Sequence, residues 1–267
     1  MTVLLQISDP HFGTERAAVA DALLRLAGEQ QPEIVVVSGD ITQRARHAQF
    51  AAAKEFMSRL TTRSLVAIPG NHDIPLYNVL ARALYPYKGF QWAFGKQLEP
   101  EWESPDFRVI CVNTTRPARH KDGEVSAEQI DRVSQSLRAA TPEQVRVVVT
   151  HQPVFVLKGS EVHNRLHGYD QAITAWSAAG ADIIMGGHIH LPYIAPLHDH
   201  SESVTRHCWV VQAGTAVSCR VRKNQANSVN IIRRTPQLGC LVERWDYAAS
   251  DDRFNCVTTQ ELYLERP

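Results

Sequence analysis

Residues 3–13 read VLLQISDPHFG, and how this stretch ends decides how the rest of the chain is read. Val3, Leu4, Leu5 and Ile7 make a short apolar run, interrupted only by Gln6, with the length and composition of a buried strand. The run stops at Ser8. Asp9 and His11 follow at once, two residues apart, before Gly13 turns the chain. On extended backbone, residues i and i+2 project to one side, so a carboxylate and an imidazole are expected to face the same way. They could share a cation or bond each other, and one Asp-x-His does not choose between these.

The same event recurs along the chain. EIVVVS (33–38) delivers Gly39-Asp40, and SLVAI (64–68) delivers Gly70-Asn71-His72-Asp73. VRVVVT (145–150) delivers His151, and DIIM (182–185) delivers GGHIH with His188 and His190. Ligand sites in α/β sheets gather outside the carboxyl ends of strands. Two aspartates, four histidines and one asparagine, not counting His72, form an oxygen and nitrogen donor set without thiolate. That is more than one four-coordinate ion needs, and it suits two ions sharing a carboxylate. Two metals ~3.5–4 Å apart serve displacement at phosphorus.

Between these strands the period changes to helical. Val19, Leu23 and Leu26 predict a helix over 15–28, and Phe50, Ala53, Met57 and Leu60 one over 47–60. Ser126 and Gln129 make a capping box ahead of the Ile130, Val133 and Leu137 stripe, which predicts a helix over 126–139. A further helix is predicted near 170–179 and a strand at 107–112. After residue 191 the helical signal gives way to β-rich runs at 207–212, 228–233, 239–247 and 254–264. Alternation followed by strands predicts two packed sheets with helices outside, in one domain over residues 1–267.

Composition limits the function. The formal net charge of zero argues against a nucleic-acid binder that works by neutralising phosphates. No apolar run reaches the ~20 residues of a membrane span, and the N-terminal run lacks a basic start and meets Asp9 too early for a signal peptide. Cys111, Cys208, Cys219, Cys240 and Cys256 form no C-x-x-C. An odd, scattered set fits free thiols in a reducing compartment, so a cytoplasmic location is expected.

The ordered motifs D-P-H (9–11), G-D (39–40), G-N-H-D (70–73), T-H-Q-P (150–153) and G-H-I-H (187–190) resemble the calcineurin-like metallophosphoesterase superfamily. SGDITQ, IPGNHDIP and AGTA (213–216) followed by NSVNII make the chain similar to the bacterial class III cyclic-nucleotide phosphodiesterases. The resemblance implies a four-layer αββα sandwich, two mixed β-sheets flanked by helices. It implies that Asp9, His11, Asp40 and His190 hold one divalent ion and Asp40, Asn71, His151 and His188 a second, with Asp40 bridging. Mn and Fe are the first choices, with Zn, Co and Mg compatible. His72, outside both sets, is implied to be catalytic. It would protonate or stabilise the leaving oxygen, contacting the substrate beside Asn71, while a metal-bridging hydroxide attacks. Asp73 is implied to orient a neighbouring histidine.

The implied reaction is hydrolysis of a small phosphodiester such as a 3′,5′-cyclic nucleotide. A nucleotide-sugar lipid pyrophosphate, a glycerophosphodiester and a monoester are the alternatives, and family analogy allows a homodimer. Some relatives are non-catalytic scaffolds, but here every ligand position is filled. Gln152 stands where many relatives carry histidine and is expected to bond a phosphate oxygen. Gly39-Asp40 lacks the following Asp-Arg-Gly of phosphoprotein phosphatases. No arginine is therefore expected to hold the second charge of a monoester, and diesters are expected to be preferred.

Other polar clusters read as surface. His163 and His167 are expected in a solvent loop near the site mouth, and His198-Asp199-His200 in a hairpin loop. Arg44 and Arg46 are expected on a surface helix, with reach to the substrate as the alternative. Arg220, Arg222, Lys223, Arg233 and Arg234 are expected on a solvated strand face, with phosphate steering as the alternative. Residues 77–102 hold seven of the chain's aromatic residues (Tyr77, Tyr85, Tyr87, Phe90, Trp92, Phe94 and Trp102). They fall in an insertion at about 74–106, expected to pack on the scaffold as a small cap with one or two rings at the substrate mouth.

Overall fold

The computed structural model describes residues 2–222, 224–235 and 239–266; Lys223 lies outside them. The early apolar runs form strands β1 (Val3–Ile7), β2 (Ile34–Ser38) and β3 (Ser64–Ile68), with α1 (Ala17–Gln30) and α2 (His47–Ser58) crossing between them. These strands are parallel, Leu5 opposite Val35 and Val35 opposite Leu65, as helical crossovers require. Next come α3 (Val79–Leu84), α4 (Lys88–Phe94) and β4 (Glu101–Glu103). The alternation resumes with β5 (Phe107–Cys111), α5 (Ala127–Arg138), β6 (Val145–Val149), α6 (Tyr169–Ala179) and β7 (Ile183–Gly186). A hairpin, β8 (Tyr193–Pro196) and β9 (Trp209–Gln212), carries His198-Asp199-His200 in its connection, as expected. The chain then adds β10 (Ser228–Arg234), β11 (Cys240–Ala248) and β12 (Arg253–Leu262).

Two six-stranded mixed sheets result, ordered β12-β11-β10-β1-β2-β3 and β4-β5-β6-β7-β9-β8. Leu4, Ile34 and Val36 face Val109, Val147 and Ile183 across the space between the sheets. Leu5, Val35 and Val37 point the other way, onto Val19, Leu23 and Phe50 of α1 and α2. On the far side, Ile110, Val148 and Ile184 meet Val133, Leu137 and Trp176 of α5 and α6. Both faces of the central strands are covered, which is why these runs are apolar without alternation. At roughly 1.5–3 kcal/mol per fully buried Val, Leu or Ile, three such clusters can carry local strain elsewhere.

The space between the sheets turns polar towards the strands' carboxyl ends. Gln6 donates to Ser38 Oγ and Gly186 O, both at 3.1 Å, and accepts from Asn230 Nδ2 at 2.9 Å. This buried belt ties the sheets together directly beneath the functional residues. Helix α5 starts as its sequence predicts: Ser126 Oγ accepts from Gln129 N at 3.2 Å, and Gln129 Oε1 accepts from Ser126 N at 3.0 Å.

Three expectations are corrected. Of the seven aromatic residues in 77–102, Phe90 is buried and Phe94 and Trp102 pack half-buried on the core as expected, but three rings rather than one or two stand out: Tyr77, Tyr85 and Trp92 are 79%, 63% and 46% exposed. Apolar burial does not hold α3, which has no buried residue; Arg82 holds it by donating to the carbonyls of Pro75, Pro117 and Arg119. Arg44 and Arg46 precede α2 rather than lying on it. Arg233 and Arg234 are not solvated: Arg233 pairs with Glu243 at 3.1 Å, and buried Arg234 donates to the carbonyls of Glu143 and Gly239. No described helix is long and apolar enough to cross a membrane.

Candidate metal centre

Asp9 and His11 follow β1, Asp40 follows β2, and Asn71 and His72 occupy a 3₁₀ turn after β3. His151 follows β6, and His188 and His190 follow β7. The site therefore lies across the carboxyl ends of both sheets, and all seven expected ligand residues come together there. The reason given for Asp9 and His11 needs correction, because their backbone is not extended. Asp9, His11, Asp40, His188 and His190 have φ of 50°, 44°, 48°, 70° and 51°, five of the nine described non-glycine residues with positive φ. Left-handed turns aim these side chains inward. Such conformations cost about 1–3 kcal/mol each and persist where the surrounding structure over-determines them. Gly39 takes φ 96°, and a Cβ there would strike the His151 ring.

The donors form two trios. Asp9, His11 and His190 offer one, and Asp40, His151 and His188 the other, with ligand atoms within 4.8 Å in each. His190 Nε2 lies 3.3 Å from Asp9 Oδ1 and 3.0 Å from His11 Nε2. His151 Nε2 lies 3.3 Å from both Asp40 Oδ1 and Asn71 Oδ1. The other oxygen of Asp40, Oδ2, lies 3.6 Å from His11 Nε2, so this carboxylate reaches both trios. Backbone carbonyls orient the rings. His151 Nδ1 donates to Ser38 O at 2.9 Å, His190 Nδ1 to Arg220 O at 2.7 Å, and His72 Nδ1 to Gln43 O at 2.8 Å. Each bond leaves Nε2 facing the centre, the usual arrangement of a metal-binding histidine. His188 Nδ1 is buried without a hydrogen-bond partner, and a cation beside it would satisfy that lone pair.

The charge state also fits a cation. Burial pushes the Asp9 carboxyl up, but His190 and His151 outweigh it and hold it at about 2. Asp40 is likewise held well below the usual range, burial being overcome by His151 and His72. Burial keeps His11 neutral down to about 3, and burial with the charge of His151 keeps His188 neutral down to about 4. For His151, burial is outweighed by Asp40 and the value rises to about 9; Asp9 raises His190 in the same way. Two buried carboxylates are thus ionised, and His151 beside them holds a proton in the ion-free protein. The fit to divalent cations is good: ionised carboxylates, accessible imidazole nitrogens and no thiolate.

Several individual roles differ from expectation. His72 also lies within ligand reach of His11 and Asp40, with its ring edge-on to His11 at a centroid distance of 4.8 Å. Asp73 orients no histidine. Its carboxylate accepts from the backbone N–H groups of Gly70, Ile41 and Thr42 at 2.7–3.0 Å, bracing the turns that carry Asp40 and Asn71. Gln152 is buried and bonds Thr114 Oγ1 and Lys121 O, so it braces a loop rather than a phosphate. Arg220 is not on a strand face. It sits in the β9–β10 connection with Nη1 3.3 Å from His72 Nε2, 3.1 Å from Gln43 Oε1 and 3.3 Å from His11 Nδ1. Arg222 pairs with Glu161 at 2.8 Å on the same mouth, where Lys121 and Asn164 also stand. The one sequence signal for Arg220 was two arginines directly after AGTAVSC.

A family model described as calcineurin-like phosphoesterase matches residues 2–192. A probable cyclic nucleotide phosphodiesterase of Rhodococcus erythropolis is 23% identical over 245 residues, covering 86% of this chain and 78% of that protein. A glycerophosphodiester phosphodiesterase of Enterobacter lignolyticus is 35% identical over 82 residues, 27% of this chain and 29% of its own. Among solved structures, a dimetal phosphatase from Danio rerio shares the fold at TM-score 0.68 and 11% identity, covering 99% of both chains.

Proposed function

The chain belongs to the calcineurin-like phosphoesterase family, and on that footing we propose that residues 1–267 form one binuclear phosphodiesterase domain acting on a small phosphodiester. Membership with this His/Asp cluster makes it a metal-dependent phosphoesterase. The observation that carries the finer reading is the pair of trios joined by Asp40. In the proposal Asp9, His11, Asp40 and His190 hold one ion, and Asp40, Asn71, His151 and His188 the other. Mn or Fe and a cytoplasmic setting go with it. Bound cations would neutralise phosphate oxygens and lower the pKa of a water towards neutrality.

The chain supplies the rest. His72 presents Nε2 to the leaving oxygen because Gln43 O holds its other nitrogen. Asn71 touches the same phosphate. Arg220, beside His72, grips non-bridging oxygens with a planar fork. That arginine removes the stated reason for ranking monoesters below diesters. The diester preference rests instead on the two phosphodiesterase-named relatives, of which the first favours a 3′,5′-cyclic nucleotide and the second, over its shorter match, a glycerophosphodiester.

The test is a substrate panel on protein of measured metal content: 3′,5′-cyclic AMP, glycerophosphocholine, bis(p-nitrophenyl) phosphate and p-nitrophenyl phosphate. Diesters should be hydrolysed, with activity lost on chelation and restored by Mn. Protein that holds two ions per chain and hydrolyses none of the four would refute the proposal.

A further inference from the structure

Three cavities line up across the face that carries the metal centre. The first, about 300 Å³, includes Asp40, Asn71, His72, His188, His190 and Arg220. It shares Asn71 and His72 with a narrow crevice of about 60 Å³, which Gln43, Ile74 and His120 also line. That crevice shares Arg44 and Leu76 with a third cavity of about 650 Å³. The third cavity is walled by Tyr77, Tyr85 and Trp92 over Pro75, Leu76 and Ala81. Its rings stay largely in solvent, although burying them would be favourable. Cations of the cavity wall stand over two of them: Arg44 at 5.5 Å from the Tyr77 centroid and Lys88 at 5.8 Å from Tyr85.

A largely apolar cavity of several hundred Å³ with a few polar groups is the usual form of a small-molecule subsite. It adjoins, through Arg44 and Leu76, the crevice that adjoins the metal centre through Asn71 and His72. We propose that it receives one organic arm of the phosphoester, and that this arm is a flat aromatic group, either an aryl ring or a nucleobase. The inference rests on the phosphoesterase reading of the metal centre. His72 lines the first cavity and the crevice but not the third. An arm that enters the aromatic cavity therefore leaves phosphorus on the His72 side, and it is the arm whose oxygen His72 serves. Flat rings are favoured over alkyl chains because the walls are themselves rings, which stack with a π-face, and because the cationic rim complements such faces.

The test uses four diesters that share a methyl arm and have poor leaving groups: dimethyl phosphate, methyl phenyl phosphate, methyl hexyl phosphate and the methyl ester of adenosine 5′-phosphate. Each is titrated into Mn-loaded wild-type protein and into Tyr85→Ala and Trp92→Ala by calorimetry. Both positions are exposed, so neither change empties the core. A ring-bearing ester should bind roughly five- to fifty-fold tighter than dimethyl phosphate in the wild type. Each variant should lose most of that gain while dimethyl phosphate changes less than about twofold. Whichever ring gains more, phenyl or adenine, identifies the source of the aromatic arm. A hexyl ester that gains more than both rings overturns the aromatic assignment, and a ring gain untouched in both variants overturns the subsite. If the ring gain appears and the panel above shows no hydrolysis, the phosphodiesterase reading falls and the subsite stands. If hydrolysis is present and no ring gain appears, the subsite falls alone.

Discussion

Replacing His72 by alanine separates proton donation from ligation. The His72 ring is fixed by the 2.8 Å bond from Nδ1 to Gln43 O, so only Nε2 can reach a substrate. General acid catalysis is typically worth ~10²–10⁴-fold, or about 2.7–5.4 kcal/mol at 1.36 kcal/mol per decade. How much of that is lost depends on the leaving oxygen. The sugar alkoxide of 3′,5′-cyclic AMP is strongly basic and needs a proton, so His72→Ala should lower its kcat by about 10²–10³-fold. A p-nitrophenolate departs without help, so loss on bis(p-nitrophenyl) phosphate should stay below about tenfold. Both rates are measured on one Mn-loaded preparation, with metal counted by elemental analysis and expected to match wild type. An equal loss on both substrates would replace proton donation by charge stabilisation of the phosphate oxygens. A fall in metal content would make His72 a ligand, a role its proximity to His11 and Asp40 permits.

Arg220→Ala should cost p-nitrophenyl phosphate at least about tenfold more in kcat/KM than bis(p-nitrophenyl) phosphate, because the monoester's extra charge leans on the guanidinium; equal losses would remove Arg220 from phosphate binding. His190→Ala should mainly empty the Asp9 side of the centre and Asn71→Ala the Asp40–His151 side, each leaving close to one ion per chain. In ion-free protein His151, raised to about 9, carries a proton at neutral pH that a cation must displace, and His190 is shifted upward in the same direction by Asp9. Metal affinity should therefore rise with pH, by up to about tenfold per unit for each displaced proton, and level off above about 9; calorimetry in two buffers of different ionisation enthalpy counts the protons, and zero released would contradict this. Asp182→Ala should lower stability by about 3 kcal/mol, read from the urea midpoint, because the buried Asp182 carboxylate holds Arg266 at 2.9 Å and Arg206 at 3.3 Å; a loss below about 1 kcal/mol would show that the C-terminal arginines find other partners.

The convergence of the candidate metal-centre residues was legible because each comes directly after an apolar strand. The same holds for α5, whose cap and stripe lie within a dozen residues. What escaped notice depends on contacts between distant parts of the chain. Arg220 meets His11 across 209 positions, brought there by the connection that returns the chain from the second sheet to the first. The belt of Gln6, Ser38 and Asn230 left a trace, a lone amide in each of two apolar strands. Its purpose appears only when β10 is paired beside β1. Asp73 looked like a partner for histidine because it adjoins His72, yet its carboxylate turns away to cap the backbone of the neighbouring loop. The aromatic segment misled in the opposite sense, since ring-rich sequence usually means burial, and three of these rings stand at a cavity instead.

Metal stoichiometry decides whether this is a two-ion centre joined by Asp40. Wild-type protein and Asp40→Ala are loaded with Mn, cleared of excess ion and analysed for metal per chain. Two ions per chain in the wild type, with both positions depleted in Asp40→Ala, is the expected result. A wild-type chain that keeps none, or an Asp40→Ala chain that keeps two, would contradict it.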